Sequence, residues 1–270
     1  MRHPSGLAVH EHVPSERRTG DPVIVLVHGT LDRSTSFARV VRRLGDLHTV
    51  VYDRRGYHHS RDAVPLHTSI EGQIDDLVSV IDGRPAVVVG HSYGGTICIG
   101  AALRADPANT IVSLAAYEPP LPWLSIWISD GTPRREKLRE DPDVEAEKFF
   151  RRLVGDGAWD RLSETARAER RADGPALVAE LNAIKVTEAP FDVTTMSIPA
   201  LFGRGGNSRP HHREGVAWLV EHTPNAELFE VPGAAHGAHL SHPDRFAEFV
   251  RRAVERAGEV SVATEPTRLG

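Results

Sequence analysis

The chain has 270 residues, a formal net charge of −5 and 40% hydrophobic residues. A chain of this length can bury one large core, and its slight acidity gives no general attraction to nucleic acid or to an anionic membrane. Its apolar runs fall short of the about eighteen residues that a membrane-spanning helix needs, and the first residues lack a secretory signal pattern. We therefore expect a cytoplasmic protein that binds neither nucleic acid nor membrane.

Short apolar runs rich in β-branched residues alternate with amphipathic stretches along most of the chain. The apolar runs span residues 22–29, 48–56, 85–92, 110–120, 197–206 and 226–236. The amphipathic stretches span residues 37–47, 70–83, 96–107, 213–224 and 243–258. Near-continuous apolar runs are typical of strands buried on both faces of a parallel sheet. The alternation predicts an α/β fold with a doubly wound, mostly parallel sheet, in which Cys98 is a small buried packing residue.

Residues 119–190 interrupt this alternation, because they contain no strand pattern. An aromatic stretch is followed there by two Arg- and Glu-rich helical patterns, at 132–154 and 163–184. We expect this segment to form a small helical cap on a core made of residues 1–118 and 191–258. The last residues, 259–270, lack periodicity and are expected to form a flexible tail.

The stretch "GHSYGG" at 90–95 places Ser92 between glycines, after a strand pattern and before a helical one. Gly90 and Gly94 remove side chains that would collide where a strand turns sharply into a helix, so that the serine can take a strained backbone geometry. Its hydroxyl then lies above the sheet, beside helix amides that favour a developing anion. This context, more than the Gly-x-Ser-x-Gly pattern alone, indicates a nucleophile.

Four motifs together resemble the α/β-hydrolase fold family over nearly the whole chain. They are "LVHGT" (26–30), "YDRRGYHHS" (52–60), "GHSYGG" (90–95) and "VPGAAHGAHLSHPDRF" (231–246). The resemblance implies that Ser92 is a nucleophile and that the backbone N–H groups of Thr30 and Tyr93 form an oxyanion hole. It also implies that His236, seven residues before Pro243, is the general base.

The acid of the triad is where the chain departs from the family pattern. The usual position, just past the strand pattern at 197–206, holds Asn207, and an amide cannot stabilise an imidazolium by charge. Some relatives supply the acid from the end of the preceding strand, where this chain has Glu118. We take Glu118 as the acid, with Asn207 as the fallback partner. In an alternative interpretation, Glu118 only caps a turn and has no part in catalysis.

The other histidines have structural or alternative interpretations. The three-residue spacing of His236, His239 and His242 also suits metal ligands, but no Cys, Asp or Glu stands at a recognised spacing from them, so we predict no metal and no cofactor. We give His239 and His242 loop and helix-cap roles instead. Surface-loop positions are predicted for His58, His59, His211 and His212.

The substrate pocket has three candidate residues from the sequence. Trp123 and Trp127 either line an apolar pocket under the cap or only pin the cap to the core. His28 flanks the site and either lines the pocket or positions its neighbours, and His91 is given a structural role.

The predicted reaction is hydrolysis of a carboxylic ester of a small hydrophobic molecule through an acyl-enzyme. Two alternatives stay open, because one fold supports several functions. In the first, a lyase or cyclase uses His236 to move protons while Ser92 only binds. In the second, the chain is a catalytically silent ligand-binding member of the family.

Overall fold

A computed structural model describes residues 3–16, 20–67, 69–104, 110–127, 141–184 and 188–263 of the protein, and the side chains of these up to residue 259. The first part of the charged pattern predicted as a cap helix at 132–154 lies outside the described residues, as does the end of the predicted tail. Across the described residues, strands and helices alternate as the sequence predicts.

Seven strands form one sheet in the order β1-β3-β2-β4-β5-β6-β7. The strands are β1 Val9–His12, β2 Val23–Val27, β3 Thr49–Tyr52, β4 Ala86–His91, β5 Ile111–Tyr117, β6 Ala200–Gly205 and β7 Ala226–Val231. Strand β1 pairs antiparallel with β3, and every other pairing is parallel. The predicted fold class, a doubly wound and mostly parallel sheet, is confirmed.

Helices connect the parallel strands, and a group of them lies between β5 and β6. The α-helices are α1 Ala38–Val41, α2 Ile70–Ile81, α3 Tyr93–Leu103, α4 Pro142–Val154, α5 Asp156–Asp160, α6 Glu164–Ala172, α7 Gly174–Ala183, α8 Pro210–His222, α9 Ala238–Ser241 and α10 Pro243–Ala263. Proline opens α4, α8 and α10, where its missing N–H leaves no helical bond unmade. None of the described helices has the length and apolarity to cross a bilayer.

Three elements differ from the prediction. The sequence does not predict strand β1. This strand has four residues, three of them exposed, so it has no apolar run. The helix predicted at 37–47 is broken into two 3-10 turns around the single turn of α1. Helix α10 continues to Ala263, into the segment predicted as a flexible tail.

The core lies on both faces of the sheet. Along β2, Val23, Val25 and Val27 point into the cluster formed with α2, α3 and α8, whereas Ile24 and Leu26 point into the cluster formed with α1 and α10. This alternation explains why a buried strand reads as a continuous apolar run. A third, smaller cluster packs helices α4 and α7 onto the loops after β2 and β3. These helices belong to the segment between β5 and β6, which we call the cap after its predicted role.

The turn between β4 and α3 depends on Gly94, and this dependence is testable. A Cβ on Gly94 would overlap the carbonyl oxygens of Val27 and His28, which are backbone atoms that cannot swing away. We expect Gly94→Ala to lower the free energy of unfolding by about 3 kcal/mol, measured by urea denaturation.

The matched control is Gly258→Ala in α10, where an added Cβ meets nothing within 4 Å. Because alanine favours a helix over glycine, this variant should be unchanged or more stable by up to about 1 kcal/mol. Similar losses in both variants would contradict the packing argument.

Candidate active site

Ser92 lies at the sharp turn between β4 and α3. Its φ of 55° and ψ of −128° are outside the regions that non-glycine residues ordinarily occupy. Added Cβ atoms on Gly90 and Gly94 would overlap nearby backbone, so only glycine fits at those two positions. A strained residue held by such packing is typical of a functional site.

The start of α3 and the loop after β2 lie against each other beside Ser92. The first N–H groups of a helix have no acceptor within it, and Tyr93 is the first residue of α3. An added Cβ on Gly29 would stand only 2.9 Å from the Cβ of Ser92. Thr30, which follows Gly29, is therefore on the loop that flanks the serine.

Glu118 follows the last residue of β5 and is fully buried. Its φ of 46° is left-handed, so the backbone turns at this residue as it does at Ser92. Carboxylate Oε1 accepts hydrogen bonds from the N–H of Gly205, at 2.7 Å, and from the hydroxyl of Ser208. These bonds fix the orientation of the carboxylate and leave Oε2 for another donor.

His236 supplies that donor. Its Nδ1 lies 2.8 Å from Glu118 Oε2, and a carboxylate oxygen accepts, so Nδ1 carries the proton of a neutral ring. The other nitrogen, Nε2, is then the basic one. The His236 side chain is 24% exposed whereas that of Glu118 is not exposed at all, so the pair has one buried and one accessible end.

Asn207 occupies a different place. It is exposed, and its side-chain amide donates to the carbonyl oxygen of Gly233 at 3.1 Å. Its backbone N–H donates to the carbonyl oxygen of Ala234 at 2.9 Å. Asn207 thus holds the loop that leads to His236, and the described partner of the His236 ring is Glu118.

A buried arginine ties the loop after β2 to the cap. Arg54 Nε donates to the carbonyl oxygen of His28 at 2.9 Å, and Nη2 donates to that of Gly29 at 3.0 Å. Nη1 donates to Glu180 Oε2 on α7 at 2.6 Å, and the other Glu180 oxygen accepts from the hydroxyl of Thr30. One buried ion pair therefore connects the cap to the loop that holds Thr30.

His28 braces this loop from inside. It is fully buried, its Nδ1 donates to the carbonyl oxygen of Gly29 at 2.8 Å, and its Nε2 accepts from the Arg54 N–H at 2.9 Å. Burial, and then the charge of Arg54, lower the pKa of His28 to about 4. Since both nitrogens are engaged inside the loop, His28 does not line a substrate pocket, and that expectation is corrected.

Five imidazole rings form a continuous row through the site, which begins at His211, with its centroid 4.4 Å from that of His212. His212 stacks on His236 with ring centroids 4.4 Å apart and planes 19° apart. His91 follows at 4.7 Å from His236, and His239 lies 4.2 Å from His91. Burial, and then the neighbouring His239 and His236, lower the pKa of His91 well below its usual value.

The predicted surface position of His212 is wrong. The residue lies in the first turn of α8, with 12% of its side chain exposed. Burial, and then the repulsion that a proton on the His236 ring would exert, lower its pKa to about 2. The position of His212 shortly after β6 could have indicated that it lies in the site, because the residues that follow parallel strands gather at one sheet edge. His58 is also mostly buried, and its Nδ1 lies 2.9 Å from Asp53.

The two tryptophans contact different parts of the molecule. Trp127 packs edge-on against His211 and His212, with centroids 4.7 and 5.2 Å apart, so it lies one ring away from His236. Trp123 packs edge-on against Phe191 at 5.6 Å and belongs to the core cluster of α2, α3 and α8. The cap segment therefore brings an apolar ring close to the candidate base.

Comparisons with known proteins agree with this architecture. A profile of the Alpha/beta hydrolase family matches residues 24–249. The uncharacterized hydrolase YraK of Bacillus subtilis is 35% identical over 93% of this chain and 94% of its own. A pimeloyl-(acyl-carrier protein) methyl ester esterase of Chromobacterium violaceum is 25% identical over 87% of this chain and 93% of its own. The enol-lactonase from Burkholderia xenovorans LB400 superposes with a TM-score of 0.70 at 21% identity, covering 93% of this chain and 97% of that one.

The fold and these relatives define an α/β enzyme of the hydrolase type. The chain belongs to the alpha/beta hydrolase family, and it is a hydrolase. A match within a longer protein also occurs: the chain is 28% identical to polyketide synthase ThaQ of Burkholderia thailandensis, of which it spans 12% of the length.

The buried ion pair between Arg54 and Glu180 gives a stability prediction. Glu180→Gln removes the carboxylate charge and leaves a fully buried guanidinium without its counter-ion, which should cost about 3–5 kcal/mol of unfolding free energy in urea denaturation. The matched control on the cap is Glu147→Gln. Glu147 pairs with Arg171 at 2.8 Å with both side chains about a third exposed, so its loss should cost about 0–1 kcal/mol.

The buried neutral histidines give a pH prediction. Below about pH 6.5 the unfolded chain protonates His28 and His212, whereas the folded chain does not until about pH 4 and 2, so stability falls as the pH falls. Carboxylates titrate below this window in the unfolded chain. We expect His212→Gln to remove on the order of 2 kcal/mol of the stability difference between pH 7.5 and pH 5. The exposed His10→Gln is the control, and an equal effect in both variants would refute the assignment.

Proposed function

We propose that the protein hydrolyses a carboxylic ester of a small hydrophobic molecule through an acyl-enzyme on Ser92. In this proposal His236 is the general base, Glu118 is the acid of the triad, and the N–H groups of Thr30 and Tyr93 form the oxyanion hole. The observation that carries the proposal is the 2.8 Å hydrogen bond between His236 Nδ1 and Glu118 Oε2, at the same sheet edge as the strained serine.

The hydrogen bond assigns a role to each nitrogen of His236. Because Nδ1 donates to Glu118, Nε2 has the free lone pair that removes the proton from the Ser92 hydroxyl as the oxygen attacks the ester carbon. The imidazolium that forms is stabilised by the adjacent carboxylate and then protonates the leaving alcohol. Water, activated by the same Nε2, attacks the acyl-enzyme and releases the acid.

The oxyanion hole has its support in the packing around Ser92. The loop of Thr30 is held by Arg54 through two carbonyl oxygens, so its N–H groups are placed before substrate binds. Tyr93 opens α3, where N–H groups lack acceptors within the helix. Each preorganised donor on a tetrahedral oxyanion is worth about 2.7–4 kcal/mol of the barrier.

The substrate class rests on the cap and on a relative. The ring of Trp127 is separated from His236 only by the ring of His212. An apolar ring at this place favours an apolar group on the substrate. The relative from Chromobacterium violaceum is named as a methyl ester esterase, which supports an ester rather than another acyl bond as the substrate. A screen of p-nitrophenyl esters of increasing chain length identifies the acyl chain that the site prefers.

The triad assignment is tested with two variants on a chromogenic ester. Glu118→Gln keeps the shape but removes the charge that stabilises the imidazolium, so kcat should fall about 10⁴-fold. Asn207→Ala should stay within about threefold of the unchanged protein in kcat/KM, because that side chain binds Gly233 and not the base. Full activity of Glu118→Gln would end the assignment.

The nucleophile is tested separately, because other reactions suit the same fold. A fluorophosphonate probe should label Ser92 in the folded protein, and Ser92→Ala should abolish both labelling and ester hydrolysis. An unlabelled serine points to the ligand-binding alternative. Turnover retained by Ser92→Ala points to a lyase or cyclase in which the serine only binds.

A further inference from the structure

A second group of side chains converges on the far side of His91 from the triad. Asp32 comes from the loop after β2, His91 is the last residue of β4, and His239 lies in α9. One potential ligand atom from each of the three lies within 4.8 Å of the other two. The mechanism proposed above uses none of the three. They also differ from the histidine triplet at three-residue spacing in the sequence, of which only His239 is shared.

Three of the four imidazole nitrogens of this group lack hydrogen-bond partners although they are buried. The unpartnered atoms are His91 Nδ1 and both ring nitrogens of His239, in residues that are only 6% and 2% exposed. Buried polar atoms are nearly always satisfied by protein, water or an ion, so these three indicate a missing partner. His239 Nε2 lies 3.4 Å from Asp32 Oδ2, which is beyond an ordinary N–H···O bond.

The tautomer of His91 is the strongest indication of what the partner is. His91 Nε2 lies 2.8 Å from the carbonyl oxygen of His236, and a carbonyl only accepts, so Nε2 carries the proton. Nδ1 of the neutral ring then has a bare lone pair. A ring that donates one N–H to a carbonyl and offers the other nitrogen is the arrangement that metal-ligating histidines ordinarily have.

We propose that Asp32, His91 and His239 bind a divalent transition-metal ion, with zinc as the reference ion. Two imidazoles and one carboxylate suit zinc, cobalt or nickel, whereas calcium and magnesium prefer oxygen ligands. Ligands about 2.1 Å from a tetrahedral ion stand about 3.4 Å apart. The separation of His239 Nε2 and Asp32 Oδ2 already has that value.

The position of the site determines what the ion does. His91 directly precedes Ser92, and its Nε2–H holds the backbone of His236. An ion on Nδ1 fixes this tautomer and so braces the loop that carries the candidate base. The site is therefore structural, and its occupancy is independent of whether the proposed ester hydrolysis is correct.

Calorimetric titration of the chelator-treated full-length protein with zinc ions alone tests the proposal. We expect one ion per chain, and at least about tenfold weaker binding in Asp32→Asn and in His239→Gln. The controls are His59→Gln and His212→Gln, which should leave the affinity unchanged. They remove histidines from two further groups with ligand-like spacing among the described residues, Asp53-His58-His59 and Glu118-His212-His236.

Four outcomes overturn the proposal. Absence of binding up to millimolar zinc indicates that a buried water satisfies the nitrogens. Affinity retained in both ligand variants, or lost in either control, places the ion elsewhere. If a variant does not fold, a measurement on the unmutated protein still tests the site. Zinc should shift the imidazole ¹⁵N resonances of His91 and His239. Shifts confined to His212 and His236 contradict the assignment.

Discussion

The buried charge of Arg54 is the constraint on which the site depends. A guanidinium without solvent is costly unless each donor is satisfied, and here the acceptors are two loop carbonyls and the Glu180 carboxylate. The same guanidinium lies over the Tyr93 ring, with its carbon 5.3 Å from the centroid. The loop after β2, the start of α3 and the cap therefore keep their relative positions through one group. A cap that looks like an accessory in the sequence is part of the support of the site.

The second constraint is the edge where the parallel strands end. His91 pairs with Tyr117 and Tyr117 pairs with Gly203, so the residues that follow β4 and β5 emerge side by side. Beyond each of these strands the sheet makes one more backbone hydrogen bond. The N–H of Ser92 donates to the carbonyl oxygen of Tyr117, and the N–H of Glu118 donates to that of Gly203. This geometry brings a carboxylate at the end of β5 within reach of His236. The amide of Asn207, past β6, is free to hold the neighbouring loop instead.

The row of imidazoles shows how local chemistry is set by burial. The chain has 15 histidines, and those in the row differ in what each ring can do because each has different partners. His212 and His91 stay neutral because water is excluded and because a proton on a neighbouring imidazole would repel a proton on theirs. His236 has a carboxylate on one side and an accessible edge on the other. The candidate base thus lies among rings that burial keeps neutral.

The sequence by itself determined the α/β alternation, the glycine-flanked turn at Ser92 and the candidates Glu118 and His236. The reason is that strand burial, turn sterics and strand order depend on which residue types are near one another in the chain. It did not reveal β1, whose exposed residues leave no apolar pattern, or the burial of His212. Only the tertiary structure decided that Glu118 and not Asn207 bonds His236, that His28 faces inward and that Arg54 pairs with Glu180. These contacts join residues up to 126 positions apart, and no local pattern encodes which distant groups meet.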